Sequence, residues 1–418
     1  MFAKVPKSPL FLILAFGATA CAPTDEATTT DSAAEAAESA AGAAGADAPA
    51  YDSDVVATNL VTSSANVREG DLVLIIGSSR DQRLLEDLAV QVRRQGAFPF
   101  VELVSDRMTR RMAVDVPAQY DSQAQELGMK LVETFDVMLT VDAVDDPGLL
   151  ADVPPERLAA RAAAEAPVQR RAMERGIRTV NLGNDIYPNQ SKAEEFGIAQ
   201  PELSRMFWSA VATEPAQLAA AGEKVKQALA SATELRIAAP NGTDLTVGVG
   251  GRPILISDGA ISPEEERQGG AATTVWLPAG EVFLAPVPGT ANGTVVLDPF
   301  QFQGTPVEGL TLTFENGKLT AMTATSGLDA VKAAYDAAPA GREDFGVIDF
   351  GLNPALAVPA GSRFRSWVSA GVVSIGIGNN MWAGGTNSTP YGLTGHIAGA
   401  TVTAGGNTLV ENGRITTM

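Results

Sequence analysis

The sequence predicts an α/β fold in two parts. An N-terminal, mainly parallel α/β domain spans residues 54–232, and a mostly antiparallel, β-rich domain spans residues 233–418. Three observations carry this reading. Strand-like and helix-like patterns alternate through the first part, the order that builds a parallel sheet covered by helices. The second part replaces that rhythm with short apolar runs separated by glycine, proline and asparagine turns. The roughly 365 residues that follow a low-complexity N-terminal stretch are enough for two cores.

In the first part, Leu72–Ile76 is a short apolar run ended by Gly77, which reads as a buried strand. A helix follows over Asp81–Arg94, with Leu84, Leu85, Leu88 and Val92 on one face. AFPFVELVS is a second strand, and a helix around Ser122–Glu133 leads into VMLTVDAV as a third. PPERLAARAAAEAPVQRRAMERG is helical from Pro155, with an expected interruption near Pro167, where the ring removes a backbone donor. RTVNLG is the fourth strand. The segment Glu202–Leu229 is helical again, with a break near Pro215.

The second part reads as β-runs from LRIAAP to the C-terminus, including NGTDLTVGVGG, ATTVWLPAG, EVFLAP and GVVSIGIG. ENGK and ENGR have the turn chemistry of tight hairpins. A single helix, Gly327–Ala338, interrupts them. Glu264, Glu265 and Glu266 read as the solvated start of a helix after Pro263.

The N-terminus suggests location. Lys4 and Lys7 precede the apolar run Pro9–Ala20, which is too short to span a bilayer but long enough for a secretory signal over residues 1–20. Ala18, Thr19 and Ala20 stand directly before Cys21 and resemble a bacterial lipobox, with Cys21 as the acylated first residue of the mature chain. Residues 21–53 are rich in alanine, threonine, serine and acids, a composition that reads as a disordered tether. The expectation is a lipoprotein of a bacterial envelope that faces the periplasm, held in the outer rather than the inner membrane.

A net charge of −19 argues against nucleic-acid partners. GSSRDQ, after the first strand, matches neither the dinucleotide fingerprint nor the phosphate-binding loop, so the sheet reads as scaffold rather than cofactor site. No Ser/His/Asp hydrolase setting is visible, and Cys21, the one cysteine, is committed to lipid. Trp276, Trp367, Trp382 and Tyr391 could line a ligand cleft, though core packing is the commoner use of aromatics in a β-domain.

Several motifs in order carry a resemblance. They are NGTDLT at Asn241–Thr246, Gly251-Arg252, WLPAGEVFLAP at Trp276–Pro286, FGLNP at Phe350–Pro354, IGIGNN at Ile375–Asn380 and GGTN at Gly384–Asn387. Together they resemble the M29 metalloaminopeptidases of the aminopeptidase T type, and NLVTSSANVREGDLVLIIGSS resembles that family's opening strand. The likeness covers nearly everything after the tether. It implies two divalent metals held by two glutamates, two histidines and an aspartate, which together activate a bridging water. It also implies a homodimer.

Carried over position by position, most of that ligand set is missing. Glu281 matches the first glutamate, but Val347 stands where the second is expected, with Asp349 the nearby carboxylate that could deputise. Ser374 replaces the first histidine. Gly392 and Thr394 occupy the histidine and aspartate of the last motif, and His396, the one histidine of the chain, lies two residues beyond. A shift of two keeps a side chain on the same face of a strand but moves its Cα by about 7 Å, so Asp349 and His396 could serve a metal only through a rearranged backbone. The bland alternatives are a surface or hairpin position for His396 and a polar partner such as Arg252 for Glu281.

The sequence therefore points to an M29-type envelope lipoprotein with no resident cofactor and a degenerate site. Such a protein would bind peptides or small ligands or act as a scaffold. The competing expectation is an active aminopeptidase that uses zinc, cobalt or manganese in a rearranged site around Glu281, Asp349 and His396. The five positions Glu281, Asp349, Ser374, Gly392 and Thr394 should surround one cavity.

Overall fold

The structure is a computed structural model that describes residues 51–416 apart from Pro147, Ala151 and Gln303. The signal segment, Cys21 and nearly all of the tether lie outside the described residues.

Helix α1 (Ser53–Asn59) is capped by Asp52 and leads into a single π-helical turn over Leu60–Ser64. Strand β1 (Leu72–Ser78) is followed by α2 (Gln82–Arg94), which buries Leu84, Leu85, Leu88 and Val92 as the spacing requires. Next come β2 (Phe98–Val104), α3 (Asp106–Val114), α4 (Glu126–Thr134) and β3 (Val137–Val141). Helix α5 (Pro155–Arg175) runs unbroken through Pro167, against the expected interruption. Proline costs about 3 kcal/mol inside a helix. Here, burial of Val168 and Ala172 and the ion pairs of Arg157 and Arg161 to Asp121 hold the helix down on both sides of the ring.

Strand β4 (Arg178–Leu182), α6 (Gln190–Phe196) and α7 (Gln200–Val211) precede α8 (Pro215–Ala230), so the break near Pro215 falls where the proline starts a new helix. The chain then enters β5 (Glu234–Ala238), β6 (Asp244–Gly248) and β7 (Leu255–Ser257), followed by α9 (Pro263–Gln268). Ser262 and Glu265 form a capping box at the start of α9, the acidic helix start read from Glu264–Glu266.

Strand β8 (Thr274–Leu277) returns to the first part. It pairs parallel with β4 and completes a five-stranded sheet in the order β2-β1-β3-β4-β8. The two halves of the sequence are therefore interleaved through the WLPAG segment. Three residues later the chain starts β9 (Glu281–Leu284) in a different sheet.

The remaining strands are β10 (Asn292–Val296), β11 (Phe300–Phe302), β12 (Thr305–Val307), β13 (Thr311–Glu315) and β14 (Lys318–Thr323). Helix α10 (Leu328–Ala337) leads to β15 (Phe345–Gly351), β16 (Val373–Gly378) and β17 (Gly392–Ile397). The chain closes with β18 (Thr401–Ala404), β19 (Asn407–Glu411) and β20 (Arg414–Ile415). Both Asn-Gly turns are built as read. Asn316 and Gly317, like Asn412 and Gly413, have positive φ at both central positions, the twist that closes a two-residue hairpin.

One eight-stranded sheet has the order β14-β13-β10-β6-β5-β18-β19-β20, and a five-stranded antiparallel sheet has the order β17-β16-β15-β9-β7. That second sheet is buried on both faces. Val282, Leu284, Ile348, Phe350, Val373 and Ile375 join a core shared with the eight-stranded sheet. Phe283 and Val347 join the other core, with Val73, Ile75, Phe207, Trp367 and Trp382. The face that meets the N-terminal half carries the candidate site.

Candidate functional site

Strand registers place the candidate residues. Asp349 of β15 lies opposite Ser374 of β16, and Ser374 lies opposite His396 of β17. Glu281 of β9 lies opposite Gly351 on one side and Ser257 of β7 on the other. Because side chains alternate along a strand, Glu281, Asp349, Ser374 and His396 share one face. Their row of neighbours, Val347, Gly376 and Thr394, shares it too, as does Gly392 at the end of β17.

All of this is interior. Glu281, Asp349 and Ser374 are 0% exposed, and Thr394 and His396 are nearly as buried. The five positions expected around one cavity share a face that is covered. Trp367 and Trp382 meet edge to face at 5.8 Å, Trp367 stands at 5.7 Å from the His396 ring, and Phe283 packs on Trp382. Of the four aromatics named from sequence, Trp367 and Trp382 are core residues of this side, and Trp276 is buried in β8. Tyr391 belongs to the opposite core, against Tyr335.

His396 is a buried mid-strand residue, not the surface or hairpin histidine of the bland reading. Its Nδ1 is held by the Ser374 hydroxyl at 2.8 Å. The serine that stands in the place of the first histidine therefore orients the displaced imidazole. The strand end is fixed from outside: the His396 carbonyl accepts from the Asp298 amide, and Asp298 takes the Ala398 amide and the Arg365 guanidinium at 2.9 and 2.5 Å.

Where the second glutamate and the last aspartate are expected, the space is filled. A Cβ built on Gly376 would sit 2.7 Å from Val347 Cγ1 and 2.9 Å from Thr394 Oγ1, so these two side chains close over the glycine from both flanks. Among the described residues, no three of His, Cys, Asp and Glu are grouped so as to hold a metal ion. Glu281, Asp349 and His396 share a face but do not form a ligand shell. The donor set does not fit a two-metal centre.

Arg252, proposed as a partner for Glu281, donates to the carbonyls of Ala285 at 2.7 Å and Gly384 at 3.0 Å and so ties β9 to the loop after β16.

The motif asparagines explain themselves as scaffold. Asn353 is fully buried and donates to the carbonyls of Ala279 at 2.8 Å and Ala210 at 3.1 Å, while its oxygen accepts the Ala355 amide. This fixes the Ala279-Gly280 approach to Glu281, where Gly280 has φ +115° and lies against Asn353. Asn380 and Asn387 hold each other's loop, and Asn387 also donates to Gly341.

Two recesses flank the buried face. One, of about 450 Å³ including open solvent, lies behind the Glu281 approach and is lined by Leu60, Ser64, Thr213, Glu214, Asp258 and Leu277. Burial pushes the Asp258 carboxyl up, against the pull of the Ala260 amide. The other, of about 400 Å³, lies outside His396 and is lined by Glu195, Phe196, Asp298, Phe300, Arg363 and Arg365. Sequence reasoning missed both. The residues of each come from four separate segments and share no local pattern.

Parallel sheet, interleaved second sheet and buried polar face together define a two-part α/β protein of the aminopeptidase-like class. The profile of the thermophilic metalloprotease (M29) family matches residues 53–343, and the chain belongs to that family. The matched stretch contains Glu281 and ends before Asp349, Ser374 and His396. Aminopeptidase PepS of Streptococcus thermophilus is 26% identical over 302 residues, 65% of this chain and 70% of PepS. Among solved structures, wild-type AmpT from Thermus thermophilus superposes with a TM-score of 0.69 at 20% identity, covering 87% of this chain and 98% of AmpT. A 2,5-dihydroxypyridine dioxygenase from Pseudomonas putida has the same fold more distantly, with a TM-score of 0.56 at 14% identity, covering 87% of this chain and 96% of the dioxygenase.

Proposed function

We propose that this protein is an M29-fold lipoprotein of the bacterial envelope that lacks the hydrolytic metal centre and uses the scaffold to bind peptides or small ligands or to organise partners. The observation that supports this reading is that Val347 and Thr394, which carry no carboxylate, flank Gly376 on the face shared by Glu281, Asp349 and His396. Anchoring rests on the residues before Cys21 and orientation on the tether composition.

The test is elemental analysis of the purified chain combined with assays on aminoacyl-p-nitroanilides, with and without added zinc, cobalt or manganese. The expected result is no stoichiometric metal and no turnover. The competing reading, an active aminopeptidase, draws on the name of the PepS relative. About two metals per chain, together with turnover abolished by Glu281→Ala, would establish it and sink the proposal.

A further inference from the structure

The recess outside His396 gathers cations in a chain whose net charge is −19. Arg363 and Arg365 line it from the loop between β15 and β16. Both guanidinium groups are held in place by the fold. Arg363 donates to the carbonyls of Glu194 and Glu195 at 2.8 and 2.9 Å and so closes the C-terminal end of α6. Arg365 donates to the Asp298 carboxylate at 2.5 Å and to the Phe364 carbonyl at 2.7 Å. One terminal nitrogen of each, Nη1 of Arg363 and Nη2 of Arg365, has no hydrogen-bond partner among the described residues.

The acids of the recess are already matched. Asp298 accepts from Arg365 and from the Ala398 amide, and the Glu195 carboxylate accepts from Lys192 Nζ at 2.7 Å. Arg363 has no carboxylate partner among the described residues, so the recess keeps one uncompensated positive charge. Apolar surface stands beside it. Phe196, set edge to face on Phe364 at 5.0 Å, and half-buried Phe300 line the same recess. Gln301, next along β11, also lines it and makes no side-chain hydrogen bond among the described residues.

Building on the ligand-binding reading of the scaffold, we propose that this recess takes a carboxylate attached to an apolar group of about one residue. A planar guanidinium matches the two oxygens of a carboxylate, and guanidinium groups already fixed by other bonds lose little freedom on binding. Arg363 supplies the unmatched charge, Arg365 the second donor, and Phe300 the surface for the apolar group. The volume of about 400 Å³, open solvent included, is at the low end of small-ligand sites, about 300–1,000 Å³, and suits one terminal residue. This chemistry occurs at the C-terminus of a peptide and in a free acylated amino acid. It is the opposite end of a peptide from the one an aminopeptidase cleaves.

Isothermal titration of the full chain with N-acetylphenylalanine is the test, with N-acetylphenylalaninamide as the uncharged control. The acid should bind saturably and at least tenfold more tightly than the amide, since a hydrogen bond to a charged group is worth more than one to a neutral group. Gln301→Glu puts an anion in the recess without removing a bond and should weaken the acid at least tenfold, whereas Gln301→Lys should not weaken it. An unchanged melting temperature for both variants shows that they fold. Arg363→Ala should abolish binding of the acid. A tripeptide, acetyl-Ala-Ala-Phe with a free C-terminus, separates the two sources of the carboxylate. Binding as tight as that of the single residue assigns peptide ends, and binding of the single residue alone assigns small acids. Equal affinity for acid and amide, no saturable binding of either acid, or indifference to Gln301→Glu would overturn the proposal. So would inorganic phosphate that binds more tightly than both acids. Elemental analysis and turnover, which decide the metal-free reading, are independent of the comparison between acid and amide, so either can fail alone.

Discussion

Removing one amide should loosen the whole junction behind Glu281. Asn353 is 0% exposed, and its side chain joins three segments: the end of α7 through Ala210, the β8–β9 connection through Ala279, and its own turn through the Ala355 amide. Asn353→Ala deletes three bonds between 2.8 and 3.1 Å, each worth about 1 kcal/mol net. It also leaves the carbonyls of Ala210 and Ala279 facing a dry space, at about 1 kcal/mol or more for each group left unpaired. The expected loss is about 3–5 kcal/mol, or roughly 6–10 °C in melting temperature. Asn353→Asp should cost at least as much near neutral pH, because it turns a donor into an anion facing two carbonyl oxygens. Equilibrium urea unfolding followed by tryptophan fluorescence reads the difference, since Trp367 and Trp382 lie in the same core as Ala210 and Ala279. A loss below about 1 kcal/mol for Asn353→Ala would refute the view that this asparagine clamps the two halves together.

Ser374→Ala should cost about 1–2 kcal/mol, since it removes the hydroxyl that holds the buried His396 ring; a variant as stable as the parent would show that the 2.8 Å contact contributes nothing. Burial pushes Glu102 and Glu165 up to about 7 from an ordinary 4.5, so the folded chain holds protons there that the unfolded chain has released. Their contribution therefore favours folding at low pH, falls as pH rises from about 4.5 to about 7, and is flat above. After allowance for partial solvent exposure it amounts to roughly 1–2 kcal/mol each. Melting curves at pH 5 and pH 8 should show Glu102→Gln with Glu165→Gln gaining stability at pH 8 relative to the parent, and an equal gain at both pH values would contradict the assignment. Cys21→Ser should leave the precursor unprocessed or release the protein from the membrane fraction, whereas mass spectrometry of an unmodified mature terminus at another residue would count against the lipid anchor.

Local pattern carried much of the fold and missed its long-range joints. The helix face of α2, the break at Pro215 that starts α8 and the two Asn-Gly hairpins follow from spacing and turn chemistry within a few residues. Helix α3 was invisible because DRMTRRMAV buries little beyond Ala113 and shows no apolar stripe. Strand β8 reads as one more β-run of the second half, since nothing local announces a partner at Arg178–Leu182, almost a hundred residues earlier. The site divides in the same way. An offset of two places Asp349 and His396 on the face shared with Glu281, which the two-residue strand period makes legible. That Ser374 lies between them and bonds the imidazole depends on cross-strand registers that no window of sequence contains.

What the motifs preserve and what they have lost are different kinds of residue. Asn353, Asn380 and Asn387, which belong to the motifs read as a resemblance from the sequence, make backbone hydrogen bonds that position loops. The expected ligand positions Val347, Ser374, Gly392 and Thr394 hold side chains, or none, that pack the same face from within. The fold is shared with AmpT and, more distantly, with a protein named as a dihydroxypyridine dioxygenase, so the fold alone does not fix an activity. Activity in such a fold is decided by the side chains on one sheet face. In this chain that face presents a fully buried glutamate, an aspartate, and a serine-bound histidine under two tryptophans. The proposal that this chain lacks hydrolytic activity therefore rests on the residues of this face, where Val347 and Thr394 flank Gly376 and Ser374 bonds His396.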